Sequence, residues 1–335
     1  MRIRLDPIDE YTHELGPEPT FNESMYFNVF DAATGLGGWF RLGNRANEGR
    51  GEMTVCLYLP GPDGTPSGGQ VAFMFQRPEV HTNDVFDAAG LSFEVVEPFE
   101  ELRIRYAGKV LLLDEPLQMA EPREAFTTNP YDECTVDLRY VRASDPFGGE
   151  PEEQHERPGE EFARGHYEQL GRGTGTVTVG DRSWEIDGYG LRDHSWGPRT
   201  WQAPWYYRWL TANFGGDAGF MASRIARQDR EGTRAGFVWE GGRMTLVDDV
   251  RLSTEWGDGQ HHTRVHATLR AGEDHEWSVT GEVMSYIPLR NRRDGMVTRI
   301  GEGLTRWTLD DGRVGYGMSE YLDQIIDERP VGADE

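Results

Sequence analysis

Lysine is all but missing from this 335-residue chain: Lys109 stands alone, so nearly every cation is an arginine, whose planar fork suits bidentate pairing with carboxylates. Cysteine is almost as scarce. Cys56 and Cys134 lie far apart, each in an alternating apolar run, which excludes a disulfide framework and reads both as reduced, buried small hydrophobes. No stretch approaches the roughly 20 apolar residues of a membrane-crossing helix. The opening MRIRLDPIDEYTHELG has no signal-peptide core, so the expected setting is cytoplasmic, with no membrane span. Positive charge is in deficit: 34 Lys and Arg face 58 Asp and Glu, a net charge of -24 that repels nucleic acid phosphates and anionic lipids. Sustained helical stripes are also lacking. Short helices are expected only around residues 80–89 and 320–326, so strands do not alternate with helices as a doubly wound fold requires.

What the chain does contain is alternation at period two. MTVCLYL, VAFMF and CTVDLRYV in the first half read as strands, as do many runs after residue 175, with Gly- and Pro-rich turns such as PGPDGTPSGG between them. A chain of this length is too long for one ordinary core and comfortable for two. The acidic, Pro- and Gly-rich stretch SDPFGGEPEEQHERPGEE, residues 144–161, is the best linker, giving expected domains at 1–158 and 159–335. Two successive sets of roughly eight strands in meander order predict an all-β fold of two tandem antiparallel barrels or barrel-like sandwiches, because closure removes exposed sheet edges. A barrel of that size can enclose one small ligand.

The chemistry concentrates in GYGLRDHSWGPRTWQAPWYYRWL, residues 188–210. In an extended chain Arg192, His194 and Trp196 point to one face while Asp193, Ser195 and Gly197 point to the other, so imidazole and indole are expected to share a cavity wall. A histidine can move a proton near neutral pH, and an aromatic face can steady a transient cation. Asp193 is expected to orient the loop by holding Arg199, Arg192 or a backbone donor. An ion-paired, aromatic-packed corner between two domains would use the same residues.

The string G-x-G-x-R-D-H-S-W-G-x-R resembles the D-H-x-W-G signature of the carotenoid 1,2-hydratase (hydroxyneurosporene synthase) superfamily, whose wider group includes tocopherol cyclases and cyclases of the Diels–Alderase type. PTFNESMYFNVFD, GLGGWFRLGNRANEG, EGLTRW and GYGMSEY fit a less characterised branch of it. The resemblance implies two lipocalin-like barrels in tandem, with functional His and Trp at His194 and Trp196. Carotenoid hydratases also carry a Tyr-x-Asp pair one strand further on; the matching GDAGFMASRI has none, so the implied acid is His194 or a carboxylate such as Glu23, Glu302 or Glu320. Glu23, in FNESMYF, also reads as a strand-entry side chain bonding a turn.

His262 and His266 stand four apart, but the surrounding alternation says strand, where that spacing is about 13 Å and too long for a shared metal. No dinucleotide fingerprint, P-loop or nucleophile elbow is present. Two readings remain. The first is a lyase, isomerase or cyclase working without metal or cofactor on a hydrophobic small molecule of terpenoid, steroid or polyketide type, in a cavity near the domain junction. His194, Asp193 and Trp196 would do the chemistry, and Arg192, Arg199, Trp205, Tyr206, Glu23, Trp39, Glu302 and Glu320 would line the site. The second is a non-catalytic carrier of a hydrophobic ligand. Either leaves a homodimer open.

Overall fold

The computed structural model describes residues 3–61, 69–152, 163–229 and 232–334. The chain divides into two compact units, the first formed by Met1–Asp114 with Thr128–Ala203, the second by Glu115–Thr127 with Pro204–Glu335. Both are antiparallel β structures, the tandem barrels expected from the alternation and of the lipocalin-like kind that the resemblance implies. The boundary read from composition at 158/159 falls inside the first unit, because the strands after the acidic stretch pair back onto N-terminal ones. Of that stretch, residues 153–161 lie outside the described residues, as do 62–68 of the PGPDGTPSGG turn.

The first unit contains β1 (Ile3–Arg4), β2 (Phe21–Asp31), β3 (Leu36–Arg45), β4 (Arg50–Tyr58), β5 (Val71–Gln76), β6 (Phe86–Ala88), β7 (Leu91–Glu97), β8 (Glu101–Leu113), β9 (Tyr131–Arg142), β10 (Phe147–Pro151), β11 (Gly165–Val179) and β12 (Arg182–Pro198). The ladder runs β11-β12-β2-β3-β4-β5-β8, and β9 pairs with both β8 and β11, closing a ring among the described residues. Closure leaves no edge in the ring. Inside it, the Phe27 ring of β2 meets Phe93 of β7 at 4.7 Å and Tyr140 of β9 at 5.2 Å, so the odd-numbered residues of β2 face inward.

The second unit holds β13 (Tyr206–Asn213), β14 (Ala218–Ala226), β15 (Thr233–Glu240), β16 (Arg243–Val247), β17 (Asp249–Trp256), β18 (His262–Ala271), β19 (His275–Arg293), β20 (Met296–Leu309), β21 (Val314–Ile326) and β22 (Arg329–Pro330). Its ladder runs from β16 through β15, β14, β13, β21, β20, β19 and β18 to β17. Only Asp248 separates the two end strands in the chain, so the sheet has to curl until its ends come together. Leu210, Phe220, Val265, Leu269, Trp307 and Tyr321 form its apolar core.

The helix expected at 320–326 is instead part of β21, where pairing with β20 and β13 overrides local preference; residues 80–89 contain strand β6. The single α-helix among the described residues, α1 (Pro122–Thr128), begins at a proline. No helix among them is long and apolar enough to cross a membrane. Both cysteines are buried and neither is in a disulfide, and burial, with Asp132 nearby, pushes the Cys134 thiol up to about 12. His262 does lie on a strand, β18; burial, reinforced by Arg208, holds its imidazole down at about 3, and its Nε2 sits 2.8 Å from Ser319 Oγ.

Candidate functional site

β12 carries the RDHSWG run, flanked by β11 and β2; His194 pairs in register with Tyr167 and with Met25, and Trp196 with Gly165 and Glu23. Alternation turns Arg192, His194 and Trp196 to one side, as expected, and the imidazole and indole centroids are 5.4 Å apart. Gly165 is required here: a Cβ at that position would overlap the Trp196 indole. The Phe86 ring, 5.5 Å from the imidazole, joins His194 to the aromatic interior.

The expected shared hollow is filled. His13, which arrives on the N-terminal segment before β2, lies against the two rings, and Glu10 of the same segment reaches Tyr167 beside them. His13 stacks on Trp196 at 4.0 Å and 15°. Its Nδ1 lies 2.6 Å from Glu23 Oε1, and His194 Nε2 approaches the same oxygen at 2.8 Å. The other Glu23 oxygen accepts from the backbone N–H of His13 at 2.8 Å and from Asn83 Nδ2. His194 and Glu23 are both fully buried, whereas the His13 side chain keeps 19% of its surface.

Burial opposes charge on Glu23, but donation from His13 and His194 prevails and holds its carboxyl down at about 2. The same balance, burial against Glu23 and Asp9, leaves His13 above its ordinary value. An ionised carboxylate only accepts hydrogen bonds, so the nitrogens facing Glu23, His13 Nδ1 and His194 Nε2, both carry protons. His194 Nδ1 then faces Tyr167 Oη at 3.5 Å, and Tyr167 donates to Glu10 Oε1 at 2.7 Å. At the outer end, His13 Nε2 lies 3.2 Å from Asp9, which Arg4 holds at 3.0 Å. The result is a continuous hydrogen-bonded line from a partly exposed imidazole, through a buried carboxylate, to a sealed imidazole.

Arg192 grips Glu10 with both terminal nitrogens, at 2.6 and 2.7 Å, and is braced from behind by Gln169 Oε1. Despite burial, Arg192 and the Tyr167 hydroxyl hold Glu10 below the usual carboxylate range. Asp193, on the other side of β12, lies 3.4 Å from His166 Nε2 rather than on Arg192 or Arg199. Arg199 donates to Ser195 Oγ at 2.9 Å and covers the Trp201 ring. Trp39 is buried away from this group and donates to Tyr58 Oη at 3.3 Å.

Trp205, Tyr206, Glu302 and Glu320 belong to the second unit. There Tyr206 lies beneath Arg208, Glu302 stands directly opposite Glu320, and Glu320 accepts from the Tyr207 hydroxyl. Glu10, His13 and Tyr167 escaped the sequence reading; for the first two the local trace is DEYTH, a run of polar and ionisable residues before the first long strand.

Among the described residues, two groups could hold a metal ion by donor type and spacing: His13, Glu23 and His194 inside the barrel, and His166, Glu168 and Asp193 across β11 and β12. In the first, each imidazole has an outer partner on its other nitrogen, as metal-ligating histidines do. The same atoms also satisfy one another directly.

Two solved structures share the fold over nearly the whole chain. One is a protein described as AttH from Nitrosomonas europaea, with a TM-score of 0.57 and 14% identity over 96% of each chain. The other is CghA with Sch210972, with a TM-score of 0.53 and 12% identity over 96% of this chain and 95% of that one. No curated protein matches. The family model described as domain of unknown function DUF7064 matches residues 6–325, and the chain therefore belongs to that family.

Proposed function

We infer that this protein transforms a hydrophobic small molecule by proton transfer, as a hydratase, isomerase or cyclase does, inside the barrel of the first unit. The observation that carries this reading is the Glu23 carboxylate clamped between two imidazoles, one sealed and one reaching solvent. His13, held above its ordinary value by Glu23 and Asp9 against burial, favours its charged form and carries the proton to be transferred. Glu23 keeps both rings in fixed tautomers, and in the neutral His194 ring the unprotonated nitrogen is Nδ1, beside Tyr167 Oη. Trp196 supplies the face that steadies the charged form of the His13 ring stacked on it.

The resemblance of RDHSWG to the carotenoid 1,2-hydratase signature supports proton chemistry on a polyene-like or cyclising substrate. CghA, of like fold, has been crystallised with Sch210972, which supports a barrel able to take an organic ligand. Complete burial of His194 favours a second reading, a carrier that binds such a ligand without changing it.

Native mass spectrometry of the purified protein identifies the co-purifying ligand, and incubation in D2O then separates the two readings. An enzyme incorporates deuterium at carbon or converts the compound, and His194→Gln and His13→Gln lose that activity while staying folded. Undiminished turnover in His194→Gln overturns the catalytic role, and recovery of the ligand unchanged leaves the carrier.

A further inference from the structure

The N-terminal segment has its polarity reversed. In the turn Pro7–Glu10 and the residues after it, Ile8 is 69% exposed and Tyr11 43%, while Asp9 and Glu10 are buried at 2% and 0%. Hydrophobic burial therefore does little to hold this segment down, and its charged side chains make the attachment.

The socket that receives Glu10 is made entirely by the barrel. Two nitrogens of Arg192 donate at 2.6 and 2.7 Å, Tyr167 Oη at 2.7 Å, and the backbone N–H of Phe99 at 2.7 Å. Four donors thus converge on one carboxylate, in bidentate geometry with a backbone contribution. The receptor is preorganised: Gln169 Oε1 accepts from Arg192 at 3.0 and 2.8 Å, its amide is fixed in turn by the carbonyls of Phe99 and Ser144, and the guanidinium lies over the Tyr167 ring. Nothing in that arrangement depends on the carboxylate's belonging to residue 10. Tyr167 also touches His194, so a carboxylate in this socket stands next to the imidazole and indole.

We propose that Glu10 is an internal stand-in for the ligand, and that this barrel takes a hydrophobic carboxylic acid whose carboxylate replaces that of Glu10 on Arg192, Tyr167 and the Phe99 N–H. The inference deepens the reading of a small-molecule site in the first unit and rests on it. The N-terminal segment is then the ligand's competitor. Release of the Glu10 side chain frees the polar socket beside His194 and Trp196 for the acid, while His13 keeps its place on Glu23 and Trp196.

Decanoate and decanamide serve as probes, being matched in length and differing in charge. Glu10→Ala is expected to bind decanoate at least about ten-fold more tightly than wild type does, and at least about ten-fold more tightly than it binds decanamide, by tryptophan fluorescence or calorimetry. The double variant Glu10→Ala, Arg192→Gln loses the preference for the acid. If Glu10→Ala does not fold, Glu10→Gln, which keeps the shape and removes the charge, is measured in its place. In the wild type, hydrogen exchange of residues 5–16 rises on adding decanoate and not on adding decanamide. Equal affinity for acid and amide in the Glu10 variants overturns the proposal. Because the readout is binding, a failure of the proton-transfer reading, seen as no turnover, remains distinguishable from it.

Discussion

Substituting Glu23 by Gln tests the electrostatic argument at its centre. The carboxyl falls from 4.5 to about 2 on folding, which at about 1.4 kcal/mol per tenfold of proton affinity is about 3 kcal/mol in favour of the ionised form. A depressed carboxylate contributes stability above its unfolded value, and that contribution is lost as pH falls from 4.5 toward about 2. His13 runs the opposite way. Raised above 6.5, it contributes fully below that value and loses its contribution as pH rises through its folded value. The two limbs describe one contact seen from each end and are not summed.

The stability difference between wild type and Glu23→Gln is therefore greatest between pH 4.5 and 6.5 and shrinks on both sides. Two imidazoles left against a neutral amide set its maximum at about 3–5 kcal/mol. Urea unfolding across pH, read by hydrogen exchange in residues 21–31 and 190–198, measures it for the first unit. Other depressed carboxylates, Glu10 and Glu52, titrate in both proteins and cancel in the difference. A difference that stays constant from acid to alkaline pH refutes the reasoning.

Gly165→Ala drives a methyl into the Trp196 indole, and an overpacking cost of about 1–3 kcal/mol is expected, with loss of the His13–Trp196 stack seen as a shift of the His13 ring resonances. Gly190→Ala meets the backbone carbonyl of Asn28 between β12 and β2, where no side chain can yield, so thermal unfolding places it below Gly165→Ala. In the second unit, Arg208→Met strands the buried Asp323, which Arg208 contacts at 3.0 Å, and lowers stability by about 3–5 kcal/mol in denaturant titration. Cys134, pushed up to about 12 by burial, and the fully buried Cys56 are expected to resist a thiol reagent until the protein unfolds.

Alternation made the strands legible, and with them the side of β12 on which His194 and Trp196 lie, because the period-two rule is local. Glu10, His13 and Tyr167 were not legible. The Glu10–Arg192 pair joins positions 182 apart, and no local pattern marks residue 10 as the one that enters a barrel when the ring closes. The expectation that Asp193 holds Arg199, Arg192 or a backbone donor missed His166, which sits on the neighbouring strand and faces the same side. The segment 320–326 shows the complementary failure. Its sequence tolerates a helix, and two flanking strands decide the matter.

The division of the chain has a practical corollary for genetic dissection. Residues 115–127 belong to the second unit although the residues on either side of them belong to the first, so the polypeptide passes between units at 114/115, 127/128 and 203/204. A gene cut at the last of these yields one fragment carrying an orphan loop and another missing a piece of its own body. Separating the units requires a transplant of residues 115–127 along with the second unit.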